Sequence, residues 1–175
     1  ATAVARALGL AETEVQGVKT AALLHDIGKL AVPEHILAKP GPLTPEEFQK
    51  VRMHPQVGAE IIGSVPFPYP VAPLILSHHE RWDGRGYPSG LKGEEIPLGG
   101  RILCMVDYFD ALTSERPYHK PMSVEGAAAM LEQEAGKALD PNIVEVFLRI
   151  LPNIMAEAAG TDAARRRLPI PARGT

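Results

Sequence analysis

The chain has a single cysteine, Cys104, so it forms no internal disulfide. No stretch approaches the roughly 20 consecutive apolar residues of a membrane span, and no secretory signal is evident, which points to the cytoplasm and to no membrane contact in this segment. Positive charge is not in excess. Eighteen Lys and Arg stand against 21 Asp and Glu, a net charge of −3, which excludes the whole-chain electrostatic footprint of a protein that wraps a nucleic-acid polymer. A small anionic ligand stays open. Also missing are alternating runs of β-branched residues bounded by turns, and internal repeats, so nothing argues for a sheet.

What is there reads as one all-α domain. A chain of 175 residues with 45% hydrophobic content can bury a sizeable core. It opens at Ala1 without Met, inside the helical stretch "TAVARALGL", which suggests a piece of a longer protein. From about Glu14 to Lys29 the residues Val15, Val18, Ala22, Leu23 and Ile27 form an apolar stripe, placing His25 and Asp26 near a helix end. Thr44, Pro45 and Glu47 form a capping box that starts a helix running to about Met53. Pro55 then opens or kinks a helix and leaves His54 at the bend. "VAPLILSHHE" carries His78 and His79 in its last turn. The following "RWDGRGYPSGLKGEEIPLGG" has too many glycines and prolines to be anything but a structured loop. The apolar body Ile102, Leu103, Met105 and Val106 makes the next helix central, with Asp107 interrupting it. Ser123 and Asp140 cap two later helices. Residues 158–175 form a basic tail expected not to pack against the domain spanning 1–157.

Each polar group has an ordinary reading by itself. Asp107 could cap a helix or pair with Arg101, and His54 could end a helix. Taken together, four histidines and two aspartates at the ends or inner faces of apolar helices would each be desolvated without a partner. A metal centre supplies partners to all of them. Imidazole and carboxylate without thiolate suit iron, manganese, nickel, cobalt or zinc. Six ligands exceed an ordinary zinc site, so two metals with a bridging carboxylate are expected, a centre suited to phosphate-ester hydrolysis. Lys29, Arg116 and Lys120 could contact phosphate, Asp110 could orient Arg116 or a ligand, and Tyr87 offers a ring and a hydroxyl. Gly84, Gly86 and Gly90 permit positive φ or a close backbone approach in the loop.

With these residues in view, the chain resembles the HD-GYP domain family of the HD phosphohydrolase superfamily. The resemblance runs through "AALLHDIGKLAVPEHILAKPGPLTPEE", "HHERWDGRGYPSGLKGEEIPLGGRIL", "VDYFDALTSERPY" and "GKALDP". It implies an HD-like helical bundle and a phosphodiesterase that cuts cyclic di-GMP to pGpG, and on to GMP after a second cut, with a metal-activated hydroxide. His25, Asp26, His54, His78, His79 and Asp107 fall on its metal positions, Asp26 on the bridging one; Asp26 and Lys29 are the implied catalytic pair. Lys29, Tyr87, Asp110 and Arg116 fall on substrate positions, with Lys120 standing in where the family has a cation and this chain has His119. Two divalent metals, iron or manganese first, are implied, along with a receiver or sensor domain in the parent chain and a homodimer. The family's further upstream histidine precedes Ala1. A catalytically weak dinucleotide-binding or protein-interaction module is the alternative, and cyclic GMP-AMP fits the same pocket chemistry.

Overall fold

The computed structural model describes residues 1–115 and 120–166, with side chains through residue 159. The described residues are helical throughout, with no strand beyond an isolated bridge between Ala135 and Leu139. Nine α-helices follow in order: α1 (Thr2–Ala7), α2 (Glu12–Leu24), α3 (Glu34–Leu37), α4 (Pro45–Val51), α5 (His54–Gly63), α6 (Ala72–Ser77), α7 (Leu98–Thr113), α8 (Val124–Glu134) and α9 (Pro141–Arg166). A 3₁₀ segment, Ile27–Ala31, follows α2. None of these helices is long and apolar enough to cross a membrane.

The capping residues set several boundaries as expected. Thr44 Oγ1 accepts from the Glu47 amide at 3.3 Å while the Glu47 carboxylate accepts from the Thr44 amide at 2.8 Å. Two of the four orphan donors of a helix start are satisfied in this reciprocal way. Ser123 accepts from the Gly126 amide, and Asp140 from the Asn142 amide.

The long central helix α7 packs on α1, α2, α6, α8 and α9. Its Ile102, Leu103 and Met105 are buried among Val4, Val15, Val18, Ile75, Leu131, Ile143 and Phe147. Full burial of each such side chain contributes about 1.5–3 kcal/mol. Arg101, on the same helix, does not pair with Asp107. It reaches Asp140 at 2.7 Å and the Ile96 carbonyl at 3.0 Å, because both are presented where the loop and the start of α9 meet.

Two expectations for the first helix change. The helix ends at Leu24 rather than Lys29, and Leu23 is 76% exposed. The buried stripe is Val15, Val18 and Ala21, and Leu23, about 100° beyond Ala22, has rotated away from it. The chain turns after Leu24 because Gly28 lies directly on α5: a Cβ there would stand 1.9 Å from the His54 carbonyl oxygen and 2.6 Å from the Gly58 nitrogen. Only a residue without a side chain allows that approach. α4 stops at Val51 and α6 at Ser77, so His54 does sit at a bend, while His78 caps α6 and His79 lies just beyond it. At the other end α9 continues to Arg166, into the stretch expected to be an unpacked tail; residues 167–175 lie outside the described residues.

Candidate metal centre

Three helix junctions and the body of α7 converge on one cluster. His25 and Asp26 follow α2, His54 opens α5, His78 and His79 follow α6, and Asp107 comes from the third turn of α7. The nearest ligand atoms of His54, His78 and His79 lie within 4.8 Å of one another, as do those of His25, Asp26 and His78. His78 belongs to both sets. Asp26 reaches both ways, with Oδ2 3.5 Å from His25 Nε2 and Oδ1 3.5 Å from His54 Nε2. Asp107 Oδ1 stands 4.0 Å from His25 Nε2.

Three of the imidazoles are held by one device. His25 Nδ1 donates to the Ala22 carbonyl at 2.9 Å, His54 Nδ1 to Val51 at 2.7 Å, and His78 Nδ1 to Ile75. Each carbonyl lies in the last turn of α2, α4 or α6, where helix oxygens lack an internal partner. Donation from Nδ1 leaves the Nε2 lone pair aimed into the cluster. His54 and His78 therefore face each other through two lone pairs at 3.2 Å, a contact with no hydrogen between its atoms, which a cation relieves. The donor set fits a divalent metal on that ground.

The electrostatics agree. Burial, followed by the neighbouring His79, pushes His78 down to about 3; burial, followed by His54, brings His79 to about 3 as well. Burial also lowers His54. All three are neutral ligands at physiological pH. Burial pushes the Asp26 carboxyl up, but the Lys29 hydrogen bond and charge, with His25 and His54, outweigh it and hold it below the ordinary value. Cys104 offers no thiolate, since burial raises it to about 12. The cluster is graded in depth: His54 and His78 are fully buried at its floor, while Asp26, Asp107 and Lys29 are partly exposed at its mouth. Lys29 Nζ lies 2.7 Å from Asp26 Oδ2.

Tyr87 closes one side. Its ring lies 5.0 Å from that of His79, and burial raises its hydroxyl to about 12, so it stays protonated and can donate. The loop that carries it is tightly folded. Gly84 and Gly90 have φ of +81° and +70°, and a Cβ on Gly86 would meet the Arg81 nitrogen at 2.3 Å. The Tyr87 amide donates to the His79 carbonyl at 3.1 Å. Glu80, which the sequence did not single out, fastens the loop from beneath. It is buried, and its Oε1 accepts from the amides of Ser89 at 2.7 Å and Gly90 at 3.1 Å.

The other substrate candidates are less well joined to the cluster. Asp110 lines a cavity of about 150 Å³ with His25 and Asp107, and accepts from the Ser114 hydroxyl at 3.0 Å. Lys120 is exposed and makes no contact with the cluster among the described residues. Arg116 and His119 lie outside the described residues. A groove of about 590 Å³ between α8 and α9 contains none of the site residues.

An all-α domain that gathers histidines and aspartates from four elements into one cluster defines a helical protein with a donor set suited to divalent metal. The chain belongs to the HD-domain family, which it matches over residues 1–143, and to the HD-GYP group within it. It is 44% identical over 165 residues to a cyclic di-GMP phosphodiesterase of Thermotoga maritima, covering 93% of this chain and 43% of that protein. It is 47% identical over 148 residues to the cyclic di-GMP phosphodiesterase response regulator RpfG of Xanthomonas campestris pv. campestris, covering 83% and 39%. A 3′3′-cGAMP-specific phosphodiesterase of Vibrio cholerae is 39% identical over 142 residues, covering 80% and 27%. The crystal structure of a cyclic GMP-AMP specific phosphodiesterase from V. cholerae shares the fold, with a TM-score of 0.73 at 24% identity over 97% of this chain and 47% of that one. The chain thus spans less than half the length of these relatives.

Proposed function

We propose that this chain is the hydrolytic domain of a cyclic di-GMP phosphodiesterase, with His25, Asp26, His54, His78, His79 and Asp107 as ligands of two divalent metals, iron or manganese. The observation that carries the reading is the convergence of two ligand sets sharing His78, with Asp26 spanning His25 and His54. Metals held there supply Lewis-acid charge to a phosphodiester and activate the attacking water. The chain's own residues do the rest. Asp26, set between His25 and His54, would be a ligand common to both sets. Lys29 keeps a positive charge at the mouth, where a phosphoryl oxygen approaching the cluster meets it. The Tyr87 hydroxyl donates to the bound ligand, and its ring, against His79, keeps water from that side of the cluster.

Asp110, Arg116 and Lys120 complete the substrate contacts in this reading, and pGpG is the first product, with GMP after a second cut. Residues 1–157 are the hydrolytic unit. A receiver or sensor domain elsewhere in the parent protein regulates it, in the cytoplasm and as a homodimer.

The test pairs elemental analysis of the purified chain, before and after anaerobic loading with iron or manganese, with chromatography of cyclic di-GMP digests. Near two metals per chain with pGpG formation supports the proposal. Two metals without product from either cyclic di-GMP or 3′3′-cGAMP would overturn it.

A further inference from the structure

Beside Tyr87 stands a cation with no role so far. Arg52 caps the C-terminus of α4, and its Cζ lies 4.7 Å from the Tyr87 ring centroid and 5.9 Å from that of Phe48. Phe48 meets Tyr87 edge-on at 6.4 Å and is 45% exposed. Arg52 is half-buried, yet its guanidinium makes no ion pair and no hydrogen bond among the described residues. Among the described residues the other arginine drawn against an aromatic ring, Arg101 over Trp82, is tied to Asp140 and Ile96.

Three features narrow what Arg52 meets. The guanidinium lies over aromatic rings with its N–H fork unspent, and that fork matches two coplanar acceptors. Arg52 is joined to the cluster by way of the Tyr87 ring, which lies against His79, whereas Lys29 bonds Asp26 directly and is the cation placed to serve the reacting phosphate. Beside Arg52 is Phe48, an exposed apolar ring, and an apolar ring beside a donor fork suits a base more than a hydrated phosphate. Tyr87 is already touched by His79, Arg52 and Phe48, so Phe48 is the ring with surface to offer.

Resting on the function proposed above, we infer that Phe48 and Arg52 form a guanine subsite: the base lies against Phe48, and the Arg52 fork takes its O6 and N7 acceptors. Adenine presents a donor amino group in place of O6, so the same fork disfavours it. The subsite makes the domain select guanine at one of the two base positions of a cyclic dinucleotide.

The experiment compares the metal-loaded chain with Arg52→Lys and Phe48→Ala on cyclic di-GMP, 3′3′-cGAMP and cyclic di-AMP, reading kcat, KM and metal content. Arg52→Lys keeps the charge and loses the fork. It should reduce kcat/KM on cyclic di-GMP about 5- to 150-fold, the range one bidentate base contact spans, mainly through KM. Cyclic di-AMP should change less than threefold, with metal content intact. Phe48→Ala should raise KM for all three, because stacking is not base-selective. Equal losses on the guanine and adenine dinucleotides in Arg52→Lys would mean a phosphate contact and overturn the subsite, as would no loss at all. A wild-type chain that loads metal but leaves cyclic di-GMP intact sinks the hydrolytic reading alone. Equilibrium binding then decides the subsite, and an Arg52→Lys protein with wild-type affinity for cyclic di-GMP overturns it.

Discussion

Replacing Gly28 with alanine tests how strictly the 3₁₀ segment after α2 positions the cluster. The new Cβ would fall 1.9 Å from the His54 carbonyl oxygen, 2.8 Å from its carbon and 2.6 Å from the Gly58 nitrogen. All three are backbone atoms, so no side chain can swing aside. Opening the first contact to 3.0 Å, the shortest that real side chains tolerate, moves the start of α5 or the 27–31 segment by at least 1.1 Å. Asp26 is attached to one of those bodies and His54 to the other, and their atoms now stand 3.5 Å apart. Metal ligands tolerate about 0.2 Å of error, and a misplacement of about 1 Å costs roughly 100-fold in rate. Overpacking of this kind costs about 1–3 kcal/mol. For a chain of this size that lowers Tm by about 2–12 °C. The control is Gly63→Ala, at the far end of α5, where a Cβ meets nothing within 4 Å and Tm should hold or rise. Thermal unfolding, elemental analysis and cyclic di-GMP turnover on both variants decide it. A Gly28→Ala protein with wild-type metal content and rate would refute the claim that this contact sets the spacing of Asp26 and His54.

Three further outcomes follow from the same geometry. Asp26→Ala removes the carboxylate that spans His25 and His54, so metal and activity should fall together; Lys29→Ala should keep metal while kcat drops about 100-fold, and equal metal loss in both would end the role given to Lys29. Glu80→Gln keeps an acceptor for the Ser89 and Gly90 amides but not its charge, and should cost about 1–2 kcal/mol; it should also raise KM by loosening Tyr87, and an unchanged KM would confine Glu80 to stability. The pH dependence of the metal-free chain has a definite sign. The native state holds His78 and His79 neutral down to about pH 3, whereas the unfolded chain protonates them below about 6.5. The unfolded state then binds more protons, so stability should fall as pH drops from about 6.5, and a Tm at pH 5 equal to that at pH 7.5 would contradict the burial of these imidazoles.

Much of the fold was legible because local chemistry decides it. Thr44, Ser123 and Asp140 announce their helices with side chains that satisfy the first amides, and Gly84, Gly86 and Gly90 behave as the loop's composition suggests. The residues of the cluster were legible as polar groups set against apolar helices. What the sequence hid depends on contacts across the chain. The early end of α2 follows from α5 resting on Gly28, some thirty residues away in a distance that no helical period encodes. Glu80 and Arg52 look like surface charge in a linear reading, since glutamate and arginine usually are; only the folded loop reveals one buried beneath it and the other laid against Tyr87. One signal was present and unread. "AALLH", "VRMH" and "ILSH" each place an apolar residue three positions before a histidine, the spacing at which Nδ1 meets a helix-end carbonyl.

That spacing makes the cluster a caliper of the bundle. Each of the three imidazoles is clamped to the end of the helix that precedes it in the chain, so the distances between their free nitrogens are inherited from how α2, α4, α5 and α6 lean on one another, with little slack from intervening loops. A buried substitution that shifts one helix by a fraction of an ångström, such as Ile75→Val beneath His78, is registered at the nitrogens long before the chain unfolds. Metal affinity thereby reports core packing, and any neighbour that leans on those helices can adjust the cluster without touching a ligand.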